Sequence, residues 1–324
     1  MSGRELWFVG PHQVELRRGA AAPLVDGQVR VRALASGLSQ GTELLLYRGE
    51  GPTPFDPSLD APGAPTYPRR YGYAWVGEVV ESTSAAHPRG AHVFALAPHG
   101  DEHVLNAADA RLLPDGLPAA RAVLAANLET AVNVVWDAGV GLGDDVLVLG
   151  GGVVGLLVGH LARKSGAGRV RLVEPSARRR AAALALGFDE AESAAPPGAS
   201  AADVVIEASG DPACLELALR LVRDEGVVTV ASFYGQRSAP LALGTDFHRR
   251  RLSLRSSQVS RLPPSRSVGW SFGRRFELVT NLLKNAELDA LLDSPVPFAE
   301  APATYARLAQ APGEGLQTVF SYGG

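Results

Sequence analysis

The chain has one cysteine, Cys214, among its 324 residues. A single cysteine can form no internal disulfide and cannot build the four-cysteine lobe of a structural zinc site. The sequence contains no run of about 18 uncharged apolar residues, which a membrane-spanning helix requires. Residues 1–13 lack the basic start and the long apolar core of a signal peptide. These absences predict a cytoplasmic protein without a membrane segment.

A strong charge of either sign is also absent. The formal net charge is -3, so no global attraction to nucleic acid or to an anionic membrane is expected. Hydrophobic residues make up 46% and charged residues 20% of the chain, close to ordinary globular proteins. Because 324 residues exceed what one hydrophobic core usually serves, the length favours two domains.

The first third of the sequence predicts a mostly β domain. Residues 29–35 and 75–81 alternate apolar and polar side chains, as half-buried strands do. Between them, residues 49–70 are rich in proline and poor in periodic apolar positions, which is typical of a long loop. Such a loop can form a lid or a binding wall, or it can be an insertion without a role, and both interpretations stay open.

From about residue 117, predicted helices and strands alternate. The strands are expected at residues 145–149, 169–173, 203–207 and 227–232. The helices are expected at residues 119–136, 154–164, 177–186 and 212–222. Repeated strand-helix-strand units predict a parallel sheet covered by helices, the doubly wound Rossmann arrangement of an α/β protein. After residue 256 the alternation stops, and a helical stretch at 276–292 precedes two short terminal segments.

A glycine-rich turn follows the first of these strands. Gly150, Gly152 and Gly155 form a GxGxxG motif between the strand and the next helix. Val153 and Val154 stand between the second and third glycines. The first glycine allows a tight turn, the second lets the backbone approach a pyrophosphate, and the third lets helix and strand pack closely. Because a helix N-terminus also offers N–H groups to phosphates, the motif predicts a dinucleotide site that includes both valines.

An acidic residue follows at the end of the next strand. Glu174 lies 19 residues after Gly155, where a carboxylate can accept hydrogen bonds from the ribose hydroxyls of the adenosine. A 2'-phosphate would meet that negative charge, so NAD(H) is favoured over NADP(H). Arg178 and Arg179 could bind a phosphate if Glu174 turned away, which keeps NADP(H) possible. Three residues at carboxyl ends of later strands are also expected to contact the cofactor: Ser209, Gly210 and Ser232.

Two short motifs resemble those of a known family. Residues 37–43, GLSQGTE, resemble the GICGTD stretch of the medium-chain dehydrogenase/reductase family, and residues 72–77, GYAWVG, resemble its GHExxG. The segment from Phe276 through Val319 is similar to the family's closing helix and strands. This resemblance spans the chain and implies a homodimer with three segments: a mostly β, GroES-like catalytic domain (1–121), an NAD(P)-binding Rossmann domain (122–256) and a return to the catalytic domain (257–324).

The family's catalytic zinc ligands have no counterpart here. By the resemblance, the cysteine position falls on Ser39 or Gln40, the histidine position on Tyr73, and the third ligand near Ala125 and Ala126. None of these places offers the Cys, His or carboxylate ligands of a tetrahedral catalytic site. The SxGTE variant is similar to a zinc-free branch that includes bacteriochlorophyllide dehydrogenases. We therefore expect no zinc, catalytic or structural.

Without zinc, hydroxyl groups are the expected donors. Thr42 and Tyr73 stand at positions that the family directs toward the nicotinamide, and either hydroxyl could polarise a substrate oxygen or relay a proton. Tyr73 could equally be a packed aromatic residue, and Thr42 could contact the cofactor alone. Gln40 could orient a substrate carbonyl through its amide. Four further residues are candidates for substrate binding: Ser39, Tyr47, Asn127 and Arg255.

These features predict a zinc-free, NAD(P)H-dependent oxidoreductase that transfers hydride to an activated C=C of an enone or enoyl thioester. An enolate oxygen can be stabilised by ordinary hydrogen-bond donors, whereas interconversion of a simple alcohol and ketone would lose its Lewis acid. Two alternatives remain. One is an NAD-dependent dehydrogenase of secondary alcohols and ketones, and the other is a catalytically silent, nucleotide-binding redox sensor.

A basic segment and two histidines leave further alternatives open. Residues 247–275 contain eight arginines and no acid: Arg249, Arg250, Arg251, Arg255, Arg261, Arg266, Arg274 and Arg275. They could bind phosphates, such as those of a coenzyme A thioester, pair with acids of a second subunit, or form a solvated surface. No nucleic-acid motif accompanies them. His99 and His103 favour a packing role over a metal site because no cysteine is near, and Glu43 is expected to make a structural hydrogen bond.

Overall fold

The structure, a computed structural model, describes residues 3–20, 22–51, 67–196, 198, 201–311, 313 and 315–323. Backbone contacts divide the chain into two compact units. Residues 1–126 and 280–324 form what we call the first unit, and residues 127–279 form the second unit. Most of the predicted proline-rich loop, residues 52–66, lies outside the described residues.

The strands and the α-helices are each numbered in chain order. The strands are β1 (Arg4–Gly10), β2 (Gln13–Arg18), β3 (Gln28–Leu38), β4 (Trp75–Ser82), β5 (His92–Ala95), β6 (Glu102–Asn106), β7 (Arg111–Leu112), β8 (Asp145–Leu149), β9 (Arg169–Val173), β10 (Glu190–Glu192), β11 (Ala202–Glu207), β12 (Val222–Val230), β13 (Ser253–Ser256), β14 (Val296–Pro297) and β15 (Thr318–Ser321). The α-helices are α1 (Thr42–Arg48), α2 (Ala119–Ala122), α3 (Ala125–Ala138), α4 (Val153–Lys164), α5 (Ala177–Ala185), α6 (Cys214–Leu221), α7 (Phe272–Leu282) and α8 (Ala301–Gln310).

The first unit is built on a seven-stranded sheet. Its strands run in the order β14-β15-β3-β4-β5-β7, and β6 pairs with β3 beside them. The hairpin of β1 and β2 is separate. Val29, Val31 and Ala33 of β3 alternate toward a core that also buries Trp75, because successive side chains of a strand point to opposite faces. The mostly β character predicted for this part is confirmed.

The second unit contains a six-stranded sheet in the order β10-β9-β8-β11-β12-β13, and every pair in it is parallel. Counted within the unit, this is the strand order 3-2-1-4-5-6 of the Rossmann fold. The order reverses beside β8, and the crevice at the carboxyl ends of the strands there is where such sheets bind ligands. The predicted doubly wound α/β domain is confirmed.

Two predicted helices differ from the observed ones, and one observed helix was not predicted. The helix expected at 119–136 is broken into α2 and α3, because Leu124 N–H bonds to the carbonyl of Arg121 in a tight turn. The helix expected at 276–292 is α7 followed by a separate 3-10 helix, Ala286–Leu291. Asn285 separates the two, since its side chain accepts the N–H of Glu287 and caps the second helix. The helix α8 was not predicted.

Two strands and one boundary also differ. The strand expected at 227–232 is β12, which begins at Val222, and β13 adds a sixth parallel strand after it. The composition of β13 is polar because it lies at the sheet edge with one neighbour, so it gives no apolar signal. Residues 257–279 belong to the second unit rather than to the returning segment predicted from residue 257. Arg275 of α7 explains this, since it bonds Glu129 and Asn133 of α3 within the second unit.

No helix of the described residues is long and apolar enough to cross a membrane.

Candidate active site

The glycine turn after β8 forms a tight cradle. Gly150 has a φ of 98°, and a Cβ on it would come within 2.4 Å of the Cα of Ser209. A Cβ on Gly155 would come within 2.0 Å of the carbonyl oxygen of Gly150. A Cβ on Gly152 would meet nothing within 4 Å. The first and third glycines are therefore required by backbone contacts inside the protein, and the second borders open space.

That open space lies at the start of α4. Gly152 is the N-cap residue of this 12-residue helix, and no side-chain hydrogen bond from the cap satisfies its first turn. Val153 and Val154 form that turn and are partly buried. The first N–H groups of a helix lack intrahelical partners and carry a partial positive charge, which suits an anion. The cradle therefore fits the pyrophosphate of a dinucleotide.

Glu174 lies beside this cradle. One carboxylate oxygen accepts the Gly151 N–H at 2.7 Å, and the other accepts the Ser176 N–H at 2.8 Å. Arg179 approaches the first oxygen with a guanidinium nitrogen at 3.9 Å. The side chain of Glu174 is buried, whereas Arg178 is exposed. The acidic residue thus faces the glycine turn, which supports the dinucleotide interpretation, and Arg179 contacts the carboxylate instead of standing apart from it.

The loops after β11 and β12 hold the other predicted cofactor residues. The N–H of Gly210 donates to the hydroxyl of Ser232 at 2.8 Å, and its carbonyl accepts from Arg237 at 2.7 Å. Ser209 donates both its N–H and its hydroxyl to the carboxylate of Glu207. Ser209, Gly210 and Ser232 are therefore brought together at the carboxyl edge of the sheet, as predicted from their positions at strand ends.

In the first unit, three hydroxyl groups gather where α1 begins. The hydroxyl of Tyr73 donates to the hydroxyl oxygen of Ser39 at 2.6 Å, and the Thr42 N–H donates to the same oxygen at 3.3 Å. The side chains of Tyr73 and Thr42 are also hydrogen bonded. All three residues are partly buried. Burial raises the pKa of Tyr73, and its hydrogen bonds with Ser39 and Thr42 act in the opposite direction.

A fully buried carboxylate lies behind this hydroxyl cluster of Ser39, Thr42 and Tyr73. Glu43 accepts the Ser39 N–H at 2.9 Å, the His99 Nε2 at 2.9 Å and the hydroxyl of Tyr305. The other ring nitrogen of His99 contacts the hydroxyl of Ser36 at 2.7 Å. Glu43 and His99 are both essentially inaccessible to solvent. This network agrees with the structural hydrogen bond expected for Glu43 and with the packing role favoured for His99.

The donors in this region do not fit a zinc ion. Ser39, Gln40 and Tyr73, the residues at two of the three ligand positions implied by the resemblance, carry hydroxyl and amide groups, whereas zinc takes thiolate, imidazole and carboxylate ligands. The nearby carboxylate and imidazole, Glu43 and His99, are bonded to each other. In the part of the chain that the structure describes, no three His, Cys, Asp or Glu residues are grouped to hold a metal.

Other predicted residues lie in different surroundings. The amide of Gln40 donates to the carbonyl of Leu316 at 2.8 Å, which leaves its proposed substrate contact a prediction. Tyr47 is 4% exposed and packs in the core against Tyr305, with ring centroids 5.7 Å apart, which argues against the substrate contact expected for it. His103 is likewise buried, and its Nε2 contacts the carbonyl of Pro98.

The arginines of the basic segment 247–275 lie in different surroundings, and their binding of phosphates stays a prediction. Arg250 pairs with Asp224 and Arg251 with Glu225. Arg255 is exposed and donates to the carbonyl of Asp137. Arg275 is buried in an ion pair with Glu129, and Arg266 and Arg274 stack on Trp270. Asn127 lies partly buried on α3 in the second unit, and its substrate contact stays a prediction.

Several residues that shape the two candidate sites were not predicted from the sequence. Glu207, Tyr234 and Arg237 connect the two loops at the sheet edge, and Ser36 and Tyr305 complete the network around Glu43. One signal was available for Glu207, since a carboxylate that ends a largely apolar strand is unusual in a buried parallel sheet. Two partners of Glu43, His99 and Tyr305, lie 56 and 262 positions away in sequence, so no local pattern indicated them.

Comparison with known proteins agrees with this fold. Residues 153–268 match the family model described as zinc-binding dehydrogenase. D-guloside 3-dehydrogenase of Escherichia coli (strain K12) is 28% identical over 311 residues, which cover 87% of this chain and 89% of the relative. A zinc-binding dehydrogenase of Sinorhizobium meliloti 1021, solved with NADP, superimposes with a TM-score of 0.80 at 20% identity, covering 99% of this chain and 100% of that one.

A third protein is similar in fold and was solved with a different cofactor. Acetophenone reductase of Geotrichum candidum NBRC 4597, in complex with NAD, has a TM-score of 0.81 at 16% identity and covers 99% of this chain and 97% of that one. The family model thus supports the zinc-binding dehydrogenase family for the second unit, and the solved structures show that the whole chain has the alcohol dehydrogenase-like fold of medium-chain dehydrogenases.

Proposed function

We propose that the protein is an NAD(P)-dependent oxidoreductase that interconverts a secondary alcohol and a ketone, with NAD(H) favoured, and that it does so with hydroxyl donors in place of zinc. The observation that carries this proposal is the hydrogen bond between Tyr73 and Ser39, at the position where the resemblance implies zinc ligands. The group at this position is therefore a hydroxyl, which can donate a proton, in place of the histidine that the resemblance implies.

The cofactor part of the proposal is supported by the glycine turn. The open space at Gly152 adjoins the N–H groups of α4, and the carboxylate of Glu174 lies beside the turn at Gly151. A carboxylate at this place favours a free ribose over a ribose 2'-phosphate. Arg179 lies close to that carboxylate, so the preference for NAD(H) over NADP(H) depends on Glu174 remaining the group that faces the ribose.

The chemical part concerns a single proton. When bound, a reduced nicotinamide supplies the hydride that adds to the carbonyl carbon. The electron pair of the C=O bond moves to oxygen, and Tyr73 donates its proton there, while Ser39 and Thr42 hold the phenol in place. Removing one such donor from an oxyanion typically costs a factor of about 100 to 1,000 in rate.

The surroundings of Tyr73 keep it protonated. Burial raises its pKa above the usual value of 10.0, and the negative charge of Glu43 acts in the same direction. The phenol therefore remains a donor throughout the neutral range, which suits reduction of a ketone. In the direction of alcohol oxidation the same group must first lose its proton, so we expect that rate to keep rising up to pH 10.

The relatives favour this reaction over reduction of a double bond. The full-length relative is a dehydrogenase named for position 3 of a D-guloside, and a fold relative is named for reduction of acetophenone. Neither name refers to reduction of an activated C=C, which was the main expectation from the sequence. Secondary alcohols of glycosides and polyols are therefore the first substrates to test.

The experiment is a cofactor screen with matched variants. NAD⁺ and NADP⁺ are tested with secondary alcohols, including glycosides, and NADH and NADPH with ketones, enones and enoyl thioesters, following the nicotinamide absorbance. On the best substrate we expect Y73F to lower kcat by about 100-fold or more, since it keeps the ring and removes the donor. Y47F is the control, because Tyr47 lies in the core and its change should leave kcat within about twofold.

Three results would contradict the proposal. Turnover of enones or enoyl thioesters without turnover of ketones or alcohols would restore the double-bond reaction. A Y73F variant as active as the wild type would remove the donor role. About one zinc ion per chain in the purified protein, with activity lost on chelation and restored by zinc, would show that a metal performs this step.

A further inference from the structure

The carboxylate of Glu207 is a buried group that the proposed reaction does not use. It ends β11, a strand that is otherwise largely apolar, and its side chain is inaccessible to solvent. One oxygen accepts the N–H of Ser209 at 2.7 Å and the hydroxyl of the same residue, and the other accepts the hydroxyl of Tyr234. Both oxygens are thus held by donors from the two loops at the sheet edge.

These loops are joined at three places. We call residues 208–211 the β11 loop and residues 231–237 the β12 loop. Besides the contact of Glu207 with Tyr234, the β11 loop donates the Gly210 N–H to Ser232 and accepts at the Gly210 carbonyl from Arg237. Glu207 is the innermost member of this set, and burial together with the carboxylate keeps the Tyr234 hydroxyl protonated by raising its pKa.

The β11 loop is also a wall of the glycine cradle. The nearest atoms to a Cβ built on Gly150 are the Cα and N of Ser209, at 2.4 and 2.6 Å. A Cβ on Gly155 would lie 3.4 Å from the Cβ of Ala208. The backbone that Glu207 holds through the Ser209 N–H is therefore the same backbone against which the first glycine packs.

We propose that Glu207 is a positioning residue of the dinucleotide site, whose buried carboxylate sets the β11 loop against the glycine turn and is itself held by Tyr234. The inference rests on the proposed function, in that the glycine turn binds a nicotinamide dinucleotide. A purely structural carboxylate would stabilise the second unit without any particular effect on the cofactor, and the two roles can be separated by measurement.

The test compares variants that change single contacts. E207Q keeps the shape of the side chain, but its amide nitrogen cannot accept a hydrogen bond from Ser209 or Tyr234. Y234F keeps the carboxylate and removes one donor from a partly exposed side chain, so it gives an answer even if E207Q fails to fold. The matched control is E216Q, because Glu216 lies in the same unit in an exposed pair with Arg220.

Three quantities are measured for each variant: the NADH dissociation constant by fluorescence, the Tm without cofactor, and the amide exchange of the peptide containing Ser209 and Gly210. We expect E207Q and Y234F to weaken NADH binding by about tenfold, the equivalent of one hydrogen bond to a charged group, and E207Q to speed exchange of the Ser209 amide. E216Q should match the wild type. The double variant E207Q/Y234F should lose less NADH affinity than the product of the two single losses, since both changes act on contacts of the same carboxylate.

The inference is overturned if E207Q or Y234F lowers the Tm while the dissociation constant for NADH stays within twofold of the wild type. It is overturned equally if the two losses multiply in the double variant. A wild-type protein that binds neither NADH nor NADPH would refute the proposed function and this inference together, which distinguishes that failure from the first two.

Discussion

The glycine turn allows a test in which two similar changes, each glycine to alanine, affect different properties of the protein. Alanine in place of Gly155 puts a methyl group 2.0 Å from the carbonyl oxygen of Gly150, where ordinary contacts begin at 3.4 Å. Alanine in place of Gly152 puts the same methyl group where nothing lies within 4 Å. G155A should therefore damage the fold, and G152A should damage only what binds in the open space.

The magnitudes follow from these contacts. The atom that meets the Gly155 methyl is backbone, so it cannot rotate away, and overpacking of this kind costs about 1–3 kcal/mol of folding free energy. For a unit of this size, that corresponds to a fall in Tm of about 2–10 °C. At Gly152 the φ of -66° and ψ of 172° suit alanine. Alanine lowers the conformational entropy of the unfolded chain, which stabilises the fold, but it is a weaker N-cap than glycine. The two effects offset each other to within about 0.5 kcal/mol.

The assay combines thermal unfolding of the cofactor-free variants with NADH binding by fluorescence. G152A should keep the wild-type Tm within about 2 °C and bind NADH at least about tenfold more weakly, because its methyl group lies over the helix N-terminus. G155A should unfold at a lower temperature. If G152A binds NADH as tightly as the wild type, the open space is not the pyrophosphate site; if G155A keeps the full Tm, the close contact described here is wrong.

Two further predictions concern the first unit. E43Q should lower the stability by about 1–3 kcal/mol, because its amide cannot accept from all three of the donors that Glu43 now satisfies, and Y305F should cost less because it leaves the carboxylate in place. Chemical denaturation would measure both, and an E43Q midpoint equal to that of the wild type would contradict the role of the network. Arg121 lowers the pKa of Asp289 below its usual 3.8, so this pair stabilises the fold above that pH and ceases to do so as the pH falls through the depressed value. D289N should therefore have a lower Tm than the wild type at pH 7, and a difference that does not shrink as the pH is lowered from 7 to below 3.8 would show that the ion pair is not its cause.

The parts of the fold that were predictable are those with a local signal. The strand at 145–149 has the predicted bounds, because a strand buried on both faces appears in the sequence as a short apolar run. The strand at 169–173 also has its predicted bounds, although Arg169 and Arg171 interrupt its apolar residues. The glycine turn was predictable because its three glycines stand at fixed spacing between a strand and a helix. By contrast, β13 is a polar edge strand, and the break between α2 and α3 falls among residues that all favour helix.

The candidate site was predictable in its members but not in its contacts. The motifs around residues 39–43 and 72–77 singled out Ser39 and Tyr73, yet their hydrogen bond joins residues 34 positions apart. The bond between Glu43 and Tyr305 spans 262 positions. Such contacts depend on how strands pair and helices pack in three dimensions, and single-sequence patterns report only neighbours along a helix or strand. Tyr47 shows the same limit, since its position in α1 did not reveal that it faces the core.

In the proposed function, Tyr73 donates a proton at a position where the resemblance implies a zinc ligand. The charge behind the hydroxyl cluster favours this role. A zinc ion is a cation, so it stabilises anions beside it and lowers the pKa of a bound water or alcohol. Glu43 is a carboxylate, and its charge raises the pKa of Tyr73. The surroundings of Tyr73 therefore favour a hydroxyl that retains its proton, whereas a zinc ion would favour a deprotonated oxygen. In the proposed function, Tyr73 donates its proton to the oxygen that receives charge, and burial together with the Glu43 carboxylate keeps that proton on the phenol until then.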